Sequence, residues 1–169
     1  MKRKQQGLAT VEFAIVGALF LLVMLAVLEF SRLVFVWSSA TEATRRGVRV
    51  AVVCPINDPA ISNVTVFNDD AVSGPSALLP GLSTANVAID YLDAGGNPLA
   101  CTGCNCDDTC GDPPFVSIKY VQVSINNYQH SLLLPPPFNV MLTLPAFTST
   151  LPRESLGVVP GTGTLCTFS

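Results

Sequence analysis

The sequence predicts an α+β protein, in which one long N-terminal helix packs against a small antiparallel β-sheet domain. Three observations lead to this expectation. The chain of 169 residues is 49% hydrophobic and only 12% charged, and its apolar residues concentrate near the N-terminus. Residues 8–53 contain no proline, whereas short β-branched runs alternate with Pro, Gly, Asn and Ser after Pro55. A chain of this length has room for one helix and one modest domain.

The N-terminal block predicts a membrane-spanning helix. Residues 13–28 include no polar side chain, and the apolar segment of about 11–37 exceeds the roughly 20 residues that cross a bilayer. A helix over 8–53 would be about 70 Å long, so its second half must stand outside the membrane. The alternative is a secreted binding protein whose signal is cleaved after Ala40, but the apolar stretch is longer than such a signal needs.

Glu12 is the most informative residue of this block, because a carboxylate among lipid tails costs several kcal/mol unless it is paired or protonated. A polar leader, residues 1–7, precedes the block and ends in Gly7. Cleavage after Gly7 would create a new amino group at Leu8, four residues from Glu12. The alternative is that Glu12 only reaches toward the membrane edge of a plain anchor.

These residues resemble the type IV pilin superfamily, in which a prepilin peptidase cuts after a glycine and a glutamate occupies the fifth mature position. The fuller resemblance is to the TadE/TadG-like family, the pseudopilins and minor pilins of the tight-adherence (Flp) pilus system. It covers roughly residues 7–53 and is carried by GLATVEFA (7–14), LEFSR (28–32) and ATRRGVR (43–49). Phe13 stands where major Flp pilins usually have tyrosine, which favours a minor component, and Gly17 and Ala18 stand where many relatives have proline.

The resemblance implies a pilin-like fold, a processing site at Gly7 and Leu8, and subunit pairing through Leu8, Glu12 and Phe13. It implies a single-pass protein of the bacterial inner membrane, which assembly could extract into a surface pilus. We expect a cytoplasmic N-terminus and a periplasmic C-terminal domain, because the cations of the leader adjoin the apolar block directly, whereas the arginines at 45–49 are separated from it and accompanied by Glu42. The cysteines beyond the block agree with this orientation. The implied partners are the inner membrane, prepilin peptidase, other pilin or pseudopilin subunits and the pilus assembly platform. The positive-inside rule does not settle the orientation, because basic residues flank both ends of the apolar block.

Charge excludes one class of partner and predicts one ion pair. Without the cations of the leader, 6 of the 9 basic residues remain against 12 acidic ones, a net charge of −6. An acidic body has no basic face for a phosphate backbone, so nucleic acid is not an expected partner. Glu29 and Arg32 lie three residues apart on one helix face, which predicts a structural ion pair near the membrane boundary.

The second part of the chain, residues 54–169, predicts an extracytoplasmic antiparallel β domain. The candidate strands are Asn63–Phe67, Val87–Leu92, Val116–Ile125 and one within Val140–Leu151. The alternation of apolar residues changes phase within the third strand, which predicts a bulge or bend there. The sheet is expected to pack against the outer half of the long helix.

The cysteines leave two interpretations open. They are Cys54, Cys101, Cys104, Cys106, Cys110 and Cys166, and four of them crowd into loop 101–110. Disulfides are favoured, because an even cysteine number beyond a membrane anchor is typical of an oxidising compartment. A pairing of Cys54 with Cys166 would tie the helix end to the chain end. The alternative function is a membrane-anchored redox or metal-binding module that uses the Cys101–Cys110 loop.

Catalysis has little support in the sequence. His130 is the only histidine, and no nucleophile motif or phosphate-binding glycine loop accompanies it. We therefore expect His130 on the surface, no enzymatic activity, no cofactor, no bound metal and no small-molecule substrate.

Overall fold

A computed structural model of the protein describes residues 6–69, 71–99, 117–132 and 140–157. Within these residues, one long helix precedes a short helix and a small antiparallel sheet, which confirms the predicted α+β class. The helices are α1 (Gln6–Ala51) and α2 (Pro59–Thr65), and a 3₁₀ turn covers Thr84–Asn86. The strands are β1 (Val87–Leu92), β2 (Pro98–Leu99), β3 (Tyr120–Ile125), β4 (Gln129–Ser131), β5 (Met141–Thr143) and β6 (Phe147–Pro152).

Helix α1 is continuous over 46 residues because it has no internal proline and is rich in Ala, Leu and other good helix formers. It ends at Ala51, four residues before Pro55. The amides of Leu156 and Gly157 donate hydrogen bonds of 3.0 and 2.7 Å to the carbonyls of Val52 and Val53. A late part of the chain therefore supplies donors for the carbonyls left open where the helix ends.

The main sheet has the strand order β2-β1-β3-β6, and all its pairs are antiparallel. Strand β1 covers the residues that the sequence predicted, and β5 and β6 both fall in the region predicted for the last strand. Strand β3 lies between β1 and β6 and presents Val121, Val123 and Ile125 to the core. Strands β4 and β5 form a separate two-stranded hairpin.

The core lies between the outer half of α1 and the sheet, as expected. A stripe of buried positions runs along the helix at a spacing of three to four residues: Val36, Ala40, Ala43, Gly47 and Ala51. One apolar cluster joins the end of the helix to Tyr91, Val121 and Val123. A second cluster joins Val36 and Ala40 to residues that include Ile125, Tyr128 and Phe147. The sheet thus covers α1 only from about residue 33 onward.

The predicted strand Asn63–Phe67 is wrong, because most of this segment belongs to helix α2. The β-branched residues favoured a strand, but the local start signals of a helix prevail. Pro59 stands in the first turn, and the carboxylate of Asp58 accepts a hydrogen bond of 2.8 Å from the amide of Ala60. Ile61 and Thr65, one helical turn apart, are both fully buried.

The predicted bulge is not found within β3. The residues from Tyr120 to Ile125 pair in unbroken register with β1 on one side and β6 on the other. Ile118 is fully buried but precedes the strand, so the change of phase occurs before the regular pairing begins. Val116 lies outside the described residues.

Candidate functional site

The first half of α1 is exposed and apolar on every side. Each large apolar side chain from Val11 to Phe30 is between 46% and 79% exposed. A helix that is hydrophobic all round requires an apolar surrounding, and among the described residues this is the one helix long and apolar enough to cross a membrane. The helix therefore suggests a single-pass membrane anchor.

The residues predicted for processing and subunit pairing lie in the first turns of this exposed part. The backbones of Gly7 and Leu8 are helical, and Glu12 follows Leu8 by four residues, about one turn along the same face. The side chain of Glu12 is exposed, and Phe13 beside it is 79% exposed. The described part of the body does not cover Glu12 or Phe13, so these two side chains are available to a neighbouring helix.

A polar cluster marks the place where the body first meets the helix. We define the boundary cluster as Glu29, Arg32 and His130. Nη1 of Arg32 lies 3.1 Å from both carboxylate oxygens of Glu29, so one nitrogen contacts both oxygens. Nε2 of His130 lies 3.7 Å from Oε1 of Glu29. The Glu29 side chain is only 19% exposed, so this carboxylate is largely enclosed between the helix and the β4–β5 hairpin.

The expectation that His130 lies on the surface is wrong, because it is 4% exposed. Strand β4 points this side chain inward, and its backbone pairs with Leu142 on β5. Nε2 has no hydrogen-bond partner among the described residues, and its 3.7 Å contact with Oε1 of Glu29 is longer than a hydrogen bond.

A cleft of about 170 Å³ opens beside the boundary cluster. Its walls come from α1, the loop before the 3₁₀ turn and strand β4, and the lining residues are Arg32, Phe35, Val36, Leu78, Leu79, Pro80, His130 and Ser131. Nearby, the hydroxyl of Tyr128 donates a hydrogen bond of 3.1 Å to the carbonyl of Pro80. Burial raises the pKa of this phenol, and the positive charge of Arg32 opposes the shift.

The three arginines near the end of α1 have different surroundings. Arg45 and Arg49 are exposed, as is Arg46, whose guanidinium lies 5.3 Å from the centre of the Phe67 ring. This cation–π contact holds one arginine against the loop after α2. The other two face solvent on the outer half of the helix.

The cysteine predictions fall mostly outside the described residues. Cys54 is 1% exposed and belongs to the apolar cluster at the end of α1. Cys101, Cys104, Cys106, Cys110 and Cys166 lie outside the described part of the chain. Their pairing and the metal-binding alternative therefore stay predictions.

Sequence reasoning identified the exposed apolar helix and the spacing of Glu29 and Arg32, but it missed His130 and the cleft. A pattern of near neighbours predicts a contact within one helix. No local sequence pattern predicts that a histidine in a distant hairpin will pack against Glu29. These residues come together because the β4–β5 hairpin runs back along the helix.

Residues 7–49 match the family described as TadE-like protein, which confirms the predicted resemblance. The match begins at Gly7, includes Glu12, Glu29 and Arg32, and ends two residues before the end of α1. No curated protein and no solved structure matches the chain with significant similarity.

Proposed function

Because residues 7–49 form a TadE-like segment, we propose that this protein is a minor pilin or pseudopilin of TadE/TadG type. It acts in the assembly of the Flp, or tight-adherence, pilus and has no enzymatic role. It is held in the bacterial inner membrane by the first half of α1, with its N-terminus in the cytoplasm and its β domain in the periplasm. Its partners are prepilin peptidase, other pilin or pseudopilin subunits and the assembly platform.

The observation that carries this proposal is the change of surroundings along a single helix. Up to Phe30, the apolar side chains of α1 are exposed, whereas Val36, Ala40 and Ala43 are buried against the sheet. The exposed part suits lipid before assembly and the apolar faces of neighbouring helices after it. The covered part holds the body at a fixed place on the same rigid rod.

The pairing step follows from the position of Glu12. Processing after Gly7 gives Leu8 a free, positively charged amine at physiological pH. A carboxylate inside an apolar bundle costs several kcal/mol unless it meets a counter-charge. In this proposal Glu12 of one subunit pairs with the Leu8 amine of its neighbour, and exposed Phe13 packs beside the pair. The pair fixes how far one helix slides along the next.

The mass of the native protein tests the processing step. Protein purified from its native host membranes should lack residues 1–7 when its intact mass is measured by mass spectrometry. The same measurement on a strain without prepilin peptidase should show the leader retained. A native mass that includes Met1 through Gly7 contradicts processing at this site.

A matched pair of variants tests the role of Glu12. Glu12→Gln removes the charge and keeps the shape, so the protein should still insert into the membrane but fail to support piliation and surface adherence. Glu42→Gln makes the same change at an exposed glutamate on the outer half of α1 and should leave both unchanged. Normal piliation with Glu12→Gln would remove the pairing step from the proposal.

A further inference from the structure

An exposed apolar rim lies on the body beside the helix. We define the rim as Leu78, Val140, Met141 and Leu142, which are 46%, 45%, 66% and 41% exposed. Large apolar side chains exposed singly are common on soluble proteins, but a contiguous group marks an interaction surface. Such a surface requires a partner that covers it.

The β4–β5 hairpin places the rim at the level of Glu29. His130 is paired with Leu142 and Ser131 with Met141, and the amide of Leu132 donates a hydrogen bond of 3.1 Å to the carbonyl of Val140. Most of the rim is thus carried by β5, which pairs with the strand that brings His130 to 3.7 Å from Glu29. Leu78 reaches the same place from another loop, since it lines the cleft together with Arg32 and Ser131.

The hairpin runs back along α1 toward the N-terminal half. Tyr128, just before β4, packs in the cluster that contains Val36 and Ala40. His130, two residues later, meets Glu29, which lies seven residues, or about 10 Å, closer to the start of the helix. Strand β4 therefore points toward the exposed apolar part of α1 and away from the helix end at Ala51.

Helix geometry allows Glu29 to lie at one edge of a bilayer whose other edge is at Ala9. The distance from Ala9 to Glu29 is 20 residues, or about 30 Å, which equals the thickness of a hydrocarbon core. Just beyond Glu29, Phe30, Val34 and Phe35 are still 67%, 51% and 52% exposed on the helix. The rim and these side chains together make one apolar surface around the place where α1 leaves the membrane.

The distribution of charged residues on the body agrees with this apolar surface beside the membrane. Residues 120–152 include no aspartate, glutamate, lysine or arginine, so neither strand of the hairpin contains any of these charged residues. In the main sheet, Asp90 lies within β1, and at the end away from the hairpin Asp93 follows β1 and the amide of Lys119 donates to the carbonyl of Leu92. An uncharged apolar edge next to the anchor suits lipid, and a charged end suits water.

We propose that the rim rests in the interfacial layer of the membrane, with lipid as its occupant, and that the boundary cluster lies at headgroup level. This inference rests on the proposed membrane anchoring by α1. Lipid is favoured over a second copy of the chain because the rim is continuous with the lipid-facing surface of the anchor. The contact would hold the body upright against the bilayer until the subunit is extracted.

Depth-dependent tryptophan quenching in the full-length protein tests this contact. Trp37 is replaced by Phe, which keeps a ring against Phe147, and one tryptophan is then introduced by Met141→Trp, Tyr120→Trp or Leu21→Trp. Each protein is reconstituted into vesicles of phosphatidylethanolamine and phosphatidylglycerol, without brominated lipid or with lipids brominated either near the headgroup end or near the methyl end of the acyl chains. Tyr120, 39% exposed at the opposite end of the sheet, is the control for exposed aromatic surface.

We expect brominated lipid to quench the tryptophan at position 141, and acrylamide to quench it several times less than the one at position 120. Acrylamide access at 141 equal to that at 120, without lipid quenching, overturns the proposal. Shielding at 141 from both quenchers also overturns it, because another protein chain then covers the rim. The tryptophan at position 21 separates the two proposals, because it lies near the middle of the proposed span. If lipid brominated near the methyl end does not quench it, the anchoring itself fails.

Discussion

Gly47 of α1 lies directly against the side chain of Thr65 of α2. A Cβ atom at Gly47 would overlap Oγ1 of Thr65 and lie 3.1 Å from its Cβ. Thr65 is fully buried, and its hydroxyl donates a hydrogen bond of 2.6 Å to the carbonyl of Ile61. The two helices therefore approach each other closely because position 47 has no side chain.

Replacing Gly47 by alanine is predicted to destabilise the body. Alanine normally improves a helix interior by up to about 1 kcal/mol, but the overlap with Thr65 should cost about 1–3 kcal/mol and dominate. Thermal unfolding in detergent, followed by Trp37 fluorescence, should show a midpoint lowered by several degrees. Thr65→Ala in the same protein should recover part of the loss, because it removes the overlapping atom.

Gly17→Ala is the matched control for this experiment. Apart from the backbone of α1 itself, nothing in the described part of the chain lies within 4 Å of a Cβ built at Gly17, which stands in the exposed half of the same helix. The midpoint for unfolding of the body should not fall. An equal loss with Gly17→Ala and Gly47→Ala would show that close packing against α2 is not the cause.

These contacts show which parts of the fold could be predicted from sequence. Helix α1 and strand β1 were predictable because continuous helix-forming residues and β-branched alternation express local preferences. Helix α2 was not, since its β-branched residues suggest a strand and its place depends on the space left by Gly47. The burial of His130 was equally hidden, because it depends on a contact with Glu29 across the fold.

Gly157→Ala is predicted to weaken the attachment of the chain to the end of α1. Gly157 has a φ of +85°, and a Cβ atom there would lie 2.7 Å from Pro55. Both the left-handed backbone and the clash oppose alanine, so we expect a loss of about 2 kcal/mol or more. Hydrogen exchange should become faster at the amides of residues 156 and 157, which bind the carbonyls of Val52 and Val53.

Gly96→Ala separates the two causes of this loss. Gly96 has a similar φ of +80°, but nothing lies within 4 Å of its Cβ position. Its substitution should cost only the backbone strain, about 1 kcal/mol. If the two variants lose the same stability, the close approach to Pro55 contributes nothing.

The burial of Tyr128 predicts that the folded protein loses stability at high pH. Its pKa in the folded protein is raised by burial, whereas the unfolded phenol ionises near pH 10. The unfolded state therefore loses its proton first, so the stabilisation is complete below pH 10 and is lost as the pH rises through the folded pKa. Tyr128→Phe should be less stable at pH 7 by about 1 kcal/mol, because it loses the hydrogen bond to Pro80.

The difference in stability between wild type and Tyr128→Phe should shrink between pH 9 and pH 11 when unfolding is followed by scanning calorimetry. Tyr120→Phe, at an exposed position, should follow the wild-type slope. A constant difference across this range would mean that the buried phenol does not couple folding to proton loss.

The Glu29–Arg32 contact is predicted to stabilise the junction between anchor and body. The pair is half-buried, with side-chain exposures of 19% and 42%, so solvent screens it less than a surface pair. Glu29→Gln, Arg32→Gln and the double variant form a cycle whose coupling energy should be about 1 kcal/mol, near the upper end for exposed pairs.

Glu42→Gln and Arg45→Gln form the control cycle, because these exposed residues share the same i,i+3 spacing on the same helix. The control coupling should be smaller and should vanish in 1 M NaCl, whereas the Glu29–Arg32 coupling should persist in part. Equal coupling energies in the two cycles would mean that enclosure by the β4–β5 hairpin adds nothing to the pair.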